Sequence, residues 1–460
     1  MSRRLFCGID VSLTENQLFV MDGDGRAVGK TRRFPNNLPG TAKMIEHLCG
    51  LMENSGFDAL SIGMEATSLY WFPLFWALRN DERLLGAQVL ALNPKLVQGI
   101  RKTYADMDKT DPIDASLIAD RLRFGRLSEQ HLPDEDLLAL ERLTRFRYHL
   151  VQHQSQLKNY LQSLLFLTFS EWMRARPFSD LFGACSGQLL KLFGSAKDMR
   201  SLSLEELKAY LLRFSRNHFS HLEEKAETVL RAAQDSFFIP PVLAKEVHFI
   251  VKLALNELEL VDKLLKRLDK RIAKHLAGIP QTLTSIPGIG AVLAADISEI
   301  GDISRFSGQE KLAKFAGLTW RKRQSGGFNG DITPMTKTGN PYLRYYLIQA
   351  AQCLVMHNQE YREYYARKAK ETPRHSKKRA LSLTARKLVR LVYALLSKGV
   401  LYQAEGARQE VNAKVLDPTA QNRRGIKAVR RKAKTKRSPH TPKNSAKPQE
   451  HARGYPAVNT

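Results

Sequence analysis

The stretch LFCGIDVS (residues 5–12) is an apolar run that carries a single carboxylate, Asp10, near its end. A second apolar run over residues 59–64 leads in the same way to Glu65, in GMEAT (residues 63–67). Short apolar runs bounded by turn residues are typical of buried strands. An unpaired carboxylate is costly to bury on such a strand, so Asp10 is hard to explain by packing alone. Both runs are therefore predicted to be strands that end in an acid.

The segments around these two strands predict an α/β domain. Residues 17–21 and 26–33 flank the turn DGDG (residues 22–25), which indicates an antiparallel meander of three strands. The elements expected after a loop at 35–39 are a helix at 41–52, the strand at 59–65, a helix at 69–78 and a fifth strand at 88–92. This order is that of a ribonuclease-H-like fold, in which the first and fourth strands are parallel neighbours.

Two further acids, Asp111 and Asp114, lie in KTDPIDA (residues 109–115) at the predicted start of a helix. Their spacing of three places them on one helix face. If the parallel strands set Asp10 and Glu65 about 4.8 Å apart, the four acids can converge as hard oxygen ligands for two Mg²⁺ ions. Such an ion pair activates the attacking oxygen and stabilises the leaving oxygen in phosphodiester chemistry.

Each acid could also serve the fold alone. Asp111 before Pro112 suits a helix N-cap followed by proline at the first helical position, and Asp114 would then favour the helix dipole. Glu65 at a strand end could be an ordinary surface acid. The metal hypothesis depends on the four acids together.

From about residue 134 the pattern changes to long helices. Apolar residues recur in three- and four-residue steps over 140–164 and 247–272, which predicts two helices of coiled-coil type. The two helices are expected to pair, either as an antiparallel hairpin within one chain or between protomers. An insert of about 170–240 separates them, and in it Ser203 and Glu206 have the spacing of a capping box.

Residues 279–405 are predicted to form a third, mostly helical unit that ends in a basic helix around 382–397. Its opening segment SIPGIG (residues 285–290) is similar to the turn of a helix-hairpin-helix element. Backbone N–H groups at Gly288 and Gly290 would then contact a DNA phosphate. The alternative is an ordinary turn between two helices.

Ser325 lies in WRKRQSGG (residues 320–327), between the cations Arg321, Lys322 and Arg323 and two glycines. We expect an exposed serine on a mobile backbone with positive charge nearby, which suits a nucleophile that attacks a DNA phosphodiester. No nearby His or Asp is evident as its base, and Ser-Gly-Gly is more often a simple turn.

A second basic turn, KTGNPYLR (residues 337–344), leads into a predicted helix. Its cations Lys337 and Arg344 are suited to phosphate contacts.

The charge balance predicts a polyanionic partner. The chain has 72 Lys and Arg against 46 Asp and Glu, a formal net charge of +26, and such a field attracts nucleic acid above all. A basic surface that only keeps the protein soluble, or one that associates with ribosomal RNA, would have the same charge. Twelve cations and one acid in residues 421–460 make part of this excess, and residues 406–460 are predicted to be a disordered basic tail.

The remaining composition predicts a soluble cytoplasmic protein associated with the nucleoid. The four cysteines are scattered without a CxxC pair, which speaks against disulfides or a zinc site. No signal peptide is evident in the first residues, and no apolar run reaches the roughly 18 residues of a membrane span. No membrane partner is expected.

The ordered blocks GIDVS, GMEAT, KTDPIDA, SIPGIG, RFSGQEKLAKFAGL, QSGG and KTGNPYLR resemble the DEDD transposases of insertion-sequence family one-hundred-ten, relatives of the pilin-gene invertases. The resemblance covers about residues 4–125 and 279–355. It implies a RuvC-like domain in which Asp10, Glu65, Asp111 and Asp114 hold Mg²⁺, with Mn²⁺ as a substitute, and a Ser325 that becomes covalently joined to DNA.

The resemblance also implies partners. The active site would be composite, with the acids of one protomer meeting the serine of another in a dimer or tetramer built through the coiled coil. Double-stranded target and donor DNA would be the substrates, and a bridge RNA encoded by the element would pair with both.

These expectations divide the chain into a RuvC-like catalytic domain (1–130), a coiled-coil domain with its insert (131–278), a serine-containing transposase domain (279–405) and the basic tail (406–460). Two other functions remain open. One is a RuvC-like nuclease that cuts branched DNA with metal-activated water, in which Ser325 is structural. The other is a nucleic-acid-binding scaffold without catalysis.

Overall fold

A computed structural model describes residues 3–102, 111–125, 127, 134–215, 221–321, 324–325, 328–329 and 334–403; the side chains of residues 55, 111, 112, 324–325 and 328–329 are outside that description. The chain forms two compact units, Met1–Leu132 and Pro133–Thr460. The predicted division of the second unit at 278/279 stays a prediction. The predicted tail lies outside the described residues.

The first unit is a mixed sheet with helices. Its elements are β1 (Arg4–Val11), β2 (Glu15–Met21), β3 (Arg32–Pro35), α1 (Leu38–Ser55), β4 (Ala59–Glu65), α2 (Trp71–Asn80), β5 (Gln88–Leu92), α3 (Pro94–Arg101) and α4 (Asp111–Phe124). The strand order is β3-β2-β1-β4-β5. β1 and β2, and β2 and β3, are antiparallel, whereas β1, β4 and β5 are parallel. The prediction that the first and fourth strands are parallel neighbours is confirmed.

The two faces of β1 pack against different helices. Leu5, Cys7 and Ile9 are fully buried in a core that they share with residues of α1 and α2. The opposite face contacts α4 at Gly8, where a Cβ atom would overlap the carbonyl oxygen of Ala115. The backbones of β1 and α4 are therefore in direct contact, and a glycine is required at this crossing.

Two predicted boundaries in this unit were wrong, and one helix was not predicted. The third strand begins at Arg32 rather than 26, because Asp22 Oδ1 accepts hydrogen bonds from the backbone N–H of Asp24 and Arg26, both at 2.9 Å, and extends the turn. α1 begins at Leu38 within the predicted loop, because the Asn37 side chain accepts from Gly40 N at 2.9 Å. Helix α3 was missed.

The second unit is helical apart from two short strands. Its elements are α5 (Glu135–Thr168), α6 (Trp172–Ala175), α7 (Ala184–Leu192), α8 (Ala196–Arg200), α9 (Leu204–Ser215), α10 (Leu222–Asp235), α11 (Pro241–Leu276), α12 (Ala291–Ile297), α13 (Gln309–Phe315), β6 (Gln324–Ser325), β7 (Phe328–Asn329), α14 (Pro341–His357), α15 (Gln359–Lys370) and α16 (Ser376–Lys398). No helix within the described residues has both the length and the apolarity that a membrane crossing requires.

The long helices α5 and α11 pair antiparallel within one chain. Arg147 Nε lies 2.6 Å from Asp269 Oδ1, and His153 Nε2 lies 2.8 Å from Glu257 Oε1. Of the two predicted pairings, the structure has the intrachain hairpin. Supercoiling of the pair stays a prediction.

The insert between these two helices has its own core. Phe169, Trp172 and Leu189 are fully buried there against Val251 of α11 and other residues of the insert. The predicted capping box is confirmed: Ser203 N donates to Glu206 Oε2 at 2.8 Å, and Glu206 N donates to Ser203 Oγ at 3.2 Å.

A buried charge cluster joins α5 to the segment after α12. The Arg145 guanidinium lies 2.7 Å from Glu141 Oε1 and 2.5 Å from Glu299 Oε1. Asp296 is fully buried beside them, and the nearby Thr144 hydroxyl donates to the Glu141 carbonyl. Burial, and then the charge of Glu299, raise the pKa of Asp296 well above its ordinary value. The folded chain therefore holds this proton to a higher pH than an ordinary aspartic acid does.

The close contact of β1 with α4 at Gly8 predicts that a larger residue at this position lowers the stability of the first unit. A methyl group in Gly8→Ala must push α4 away from β1, so we expect the unfolding free energy of the first unit to fall by about 1–3 kcal/mol. Gly23→Ala is the matched control, because nothing lies within 4 Å of the position that its Cβ would take. Thermal unfolding measures both, and equal midpoints for the two variants would contradict the contact.

The raised pKa of Asp296 predicts that the stability of the second unit depends on pH. The unfolded chain releases this proton above about pH 4, so wild-type stability should fall with rising pH, by at most about 1.4 kcal/mol per pH unit for one proton, until the raised pKa is passed. Asp296→Asn should remove that contribution, whereas Asp235→Asn, at an exposed acid of the same unit, should not. Chemical unfolding at several pH values tests this, and equal slopes in wild type and Asp296→Asn would refute it.

Candidate active site

Two of the four predicted acids lie side by side at the carboxyl ends of the parallel strands. The last registered pair of β1 and β4 is Ile9 with Met64, so the next residues on the two strands are Asp10 and Glu65. Both are half-buried. Side chains alternate along a strand, so both lie on the face that contacts α4, as Gly8 does. The strand pairing expected from the sequence is present.

Helix α4, which contacts this face at Gly8, carries the other two predicted acids. Asp111 is its first residue, and its side chain is outside the described set. Asp114 precedes Ala115, the residue that contacts Gly8, and is half-buried. The contact between strand and helix therefore sets Asp114 in the turn of α4 that lies against β1.

Asp114 forms an ion pair with Arg101, the last residue of α3. Among the side chains that the structure describes, no three His, Cys, Asp or Glu groups are arranged to hold a metal ion. The sheet edge thus brings two acids together and α4 adds a third, held by an arginine. Sequence reasoning missed Arg101, because no local motif marks it.

Ser325 lies in a short antiparallel pair of strands. β6 pairs with β7 so that Ser325 is opposite Phe328. We expected a mobile backbone at Ser325, but this residue lies in a paired strand. Two residues separate β6 from β7 along the chain, so the two strands can hydrogen-bond as a hairpin. Lys322 and Arg323 lie outside the described residues.

The base of the segment that carries Ser325 is closed by a short ladder. Trp320 forms a bridge with Met335, and the Thr336 N–H donates to the Thr319 carbonyl at 2.7 Å. The two threonine hydroxyls lie 2.9 Å apart, and Arg321 N donates to Pro334 O at 3.1 Å. The Arg321 side chain is exposed. The residues on the two sides of the serine segment, 319–321 and 334–336, are therefore hydrogen-bonded to each other.

The basic turn after this base is fixed by close packing. A Cβ at Gly339 would overlap the Phe315 carbonyl oxygen and the Gly317 nitrogen. Lys337 is exposed and has a positive φ of 51°, an unusual and strained conformation for a lysine. Arg344 is half-buried, and its Nη1 donates to Ala316 O at 3.4 Å, so part of this cation serves the fold.

Asn340 connects this turn to the buried charge cluster. Its Oδ1 accepts from Tyr342 N at 3.0 Å and Leu343 N at 3.2 Å and so caps α14. Its Nδ2 donates to Glu299 Oε1 at 2.8 Å, the oxygen that also contacts Arg145. Sequence reasoning missed this role. The Asn-Pro pair at 340–341 is a helix-start signal, but nothing local pointed to Glu299.

The glycines of the predicted helix-hairpin-helix turn differ in their surroundings. Gly288 has a φ of 87°, and a Cβ there would lie 3.2 Å from the Cys353 carbonyl oxygen. Its backbone conformation and close packing therefore explain why a glycine occupies this position. Gly290 caps α12, and nothing lies within 4 Å of the position of its Cβ. Phosphate binding by this turn stays a prediction.

Two protein-family models match the chain in the regions that hold these residues. A DEDD transposase model matches residues 7–170, and a model of the IS116/IS110/IS902 transposase family matches residues 280–366. The first match contains the four acids, and the second contains Ser325 and the basic turn.

Three curated proteins are similar over most of the chain. The 44.8 kDa protein of insertion element IS116 from Streptomyces clavuligerus is 27% identical over 68% of this chain and 77% of its own length. The mini-circle putative transposase for IS117 from Streptomyces coelicolor is 27% identical over 71% of this chain and 78% of its own length. The 42 kDa protein of insertion element IS900 from Mycobacterium paratuberculosis is 23% identical over 87% of this chain and 98% of its own length. With both family regions matched in order along the chain, this protein belongs to the IS116/IS110/IS902 transposase family.

Proposed function

We propose that this transposase cuts and rejoins DNA by combining the acids Asp10, Glu65, Asp111 and Asp114 with a serine nucleophile, Ser325. The observation that carries the proposal is the parallel register of β1 and β4, which sets Asp10 beside Glu65 on the face where α4 begins with its two acids. The strand order β3-β2-β1-β4-β5 supports a RuvC-like assignment of the first unit.

The chemistry of these side chains suits a divalent ion. Carboxylate oxygens at a strand edge and a helix start are hard ligands of the kind that Mg²⁺ and Mn²⁺ take, and Asp10, Glu65, Asp111 and Asp114 would hold the ion or ions. A bound ion would stabilise negative charge on the scissile phosphate. Asp114 would first have to leave its ion pair with Arg101.

The chain's own residues would carry out the transfer. The Ser325 hydroxyl oxygen forms a bond to the phosphorus and loses its proton, while the bond from phosphorus to the leaving deoxyribose oxygen breaks and that oxygen takes up a proton. The phosphoserine ester conserves the energy of the broken bond. A DNA hydroxyl then attacks the ester, releases Ser325 and joins the exchanged strand.

The basic surface around Ser325 supports DNA contacts. Exposed Arg321 and Lys337 flank the base of the serine segment, and Lys322, Arg323, Arg344, Gly288 and Gly290 complete the proposed phosphate-binding set. The ladder and the Asn340–Glu299 contact would hold this surface steady. A composite site in a dimer or tetramer and guidance by a bridge RNA follow from the family resemblance and belong to the same proposal.

Covalent capture tests the serine. Full-length chain, Mg²⁺, the RNA encoded by the element and labelled double-stranded DNA from an element end should yield a protein–DNA adduct that survives denaturation, and Ser325→Ala should yield none. Ser307→Ala is the matched control in the same unit and should form the adduct normally. If wild type cleaves without an adduct and Ser325→Ala cleaves equally well, the chain is a hydrolytic nuclease instead.

Neutralising an acid tests the metal hypothesis. Asp10→Asn or Glu65→Gln should lower DNA cleavage by about 100-fold or more, because a ligand charge is lost while the side chain keeps its size. DNA binding should persist. Asp120→Asn, at an acid of α4 paired with Arg123 at 2.7 Å, should cleave like wild type. Normal cleavage by Asp10→Asn would favour a binding scaffold without catalysis.

A further inference from the structure

A large cavity lies in the insert between the two long helices, and neither the four acids nor Ser325 line it. It encloses about 930 Å³, at the upper end of the roughly 300–1,000 Å³ of ligand sites. Helix α8, the segment before α11 and the first turns of α11 form its walls. The cavity therefore has the size of a binding site and no part in the proposed reaction.

Two aromatic side chains at this cavity are exposed to solvent. Phe237 is 70% exposed and Phe238 is 57% exposed. Their backbone is held firmly, because Phe237 N donates to Ser170 Oγ at 3.2 Å and Glu171 N donates to Ser236 Oγ at 3.1 Å. Two flat apolar rings are thus presented on an ordered segment, and little further ordering is needed when a ligand stacks on them.

The charged side chains of the cavity are mainly cationic. Lys197, Arg200 and Lys245 line it and form no ion pair with a carboxylate in the described part of the chain. The Arg200 guanidinium lies 4.6 Å from the centroid of the Phe238 ring. The acid in the lining, Asp198, accepts from Ser195 Oγ at 2.8 Å. Arg200 also donates to the Gln234 carbonyl, so Lys197 and Lys245 supply the positive charge that is most available to an anionic ligand.

We propose that this cavity binds a short unpaired stretch of nucleic acid. Bases would stack on Phe237 and Phe238, and phosphates would contact Lys197, Arg200 and Lys245. Exposed aromatic rings beside cations that form no ion pair with a described carboxylate are the combination by which proteins hold single strands. A duplex offers no free base faces to these rings. The site goes beyond the cutting and rejoining reaction and depends on neither the acids nor Ser325.

Binding of single strands tests the proposal independently of catalysis. The assay uses the full chain carrying Ser325→Ala, without divalent metal, in about 0.3 M salt to suppress contacts with phosphate alone. The probes are fluorescent oligouridylate and oligothymidylate of about ten nucleotides, an abasic strand of the same length and a duplex. Binding is read as anisotropy.

The combined variant Phe237→Ala/Phe238→Ala should bind the single strands about 10-fold more weakly or worse and leave the abasic strand unchanged. Lys197→Ala/Lys245→Ala should lower the salt dependence of single-strand binding. Phe146→Ala and Lys266→Ala, at exposed positions outside the cavity, are the matched controls. Unchanged thermal midpoints would show that the exposed substitutions leave the fold intact. Tighter binding of oligouridylate would assign the site to RNA, and tighter binding of oligothymidylate would assign it to DNA.

Equal single-strand binding by wild type and the phenylalanine variant would overturn the proposal. So would equal affinity of wild type for the abasic and the normal strand. A change in oligomeric mass in that variant without a change in strand binding would assign the rings to contacts between copies of the chain and would also refute the site. Since the assay contains no cleavage step, its outcome is separate from that of the serine and acid variants.

Discussion

The direct backbone contact between β1 and α4 at Gly8 is the constraint on which the candidate site depends. A side chain at this position would separate strand and helix, and the acid on α4 would move away from those on the sheet. The parallel pairing of β1 with β4 supplies the second half of the arrangement, because it fixes Asp10 and Glu65 on adjacent strands. One glycine and one strand register thus position carboxylates that are distant in sequence.

The basic turn of the second unit is positioned by a different kind of contact. A buried arginine–glutamate pair, rather than a close backbone contact, holds Asn340 at the start of α14. Breaking a buried pair of this kind by removing one partner leaves an uncompensated charge, which is strongly destabilising. The basic turn and the base of the serine segment are therefore coupled to the helical core, although their side chains are largely at the surface.

Much of this could be predicted from the sequence, and the exceptions have physical reasons. The strands that carry Asp10 and Glu65 near their carboxyl ends follow from short apolar runs, and the capping box at Ser203 follows from a local rule. The start of α1 was missed because capping by Asn37 overrides the loop character of the proline-rich segment. Arg101 and Glu299 were missed because their partners are contacts of the folded chain, for which no local pattern exists. The role of Ser325 was predicted from its cationic neighbours and from a resemblance to a family, and it stays a prediction.

The ion pair of Arg101 with Asp114 has a consequence for how the first unit folds. Acids gathered for a cation repel one another until it arrives, and small metal-dependent domains often stay unfolded before loading. Here a guanidinium on the neighbouring helix already offsets part of that repulsion. The proposed ion is therefore not needed to offset the charge of Asp114 while the first unit folds, and its binding would exchange one positive partner of that acid for another.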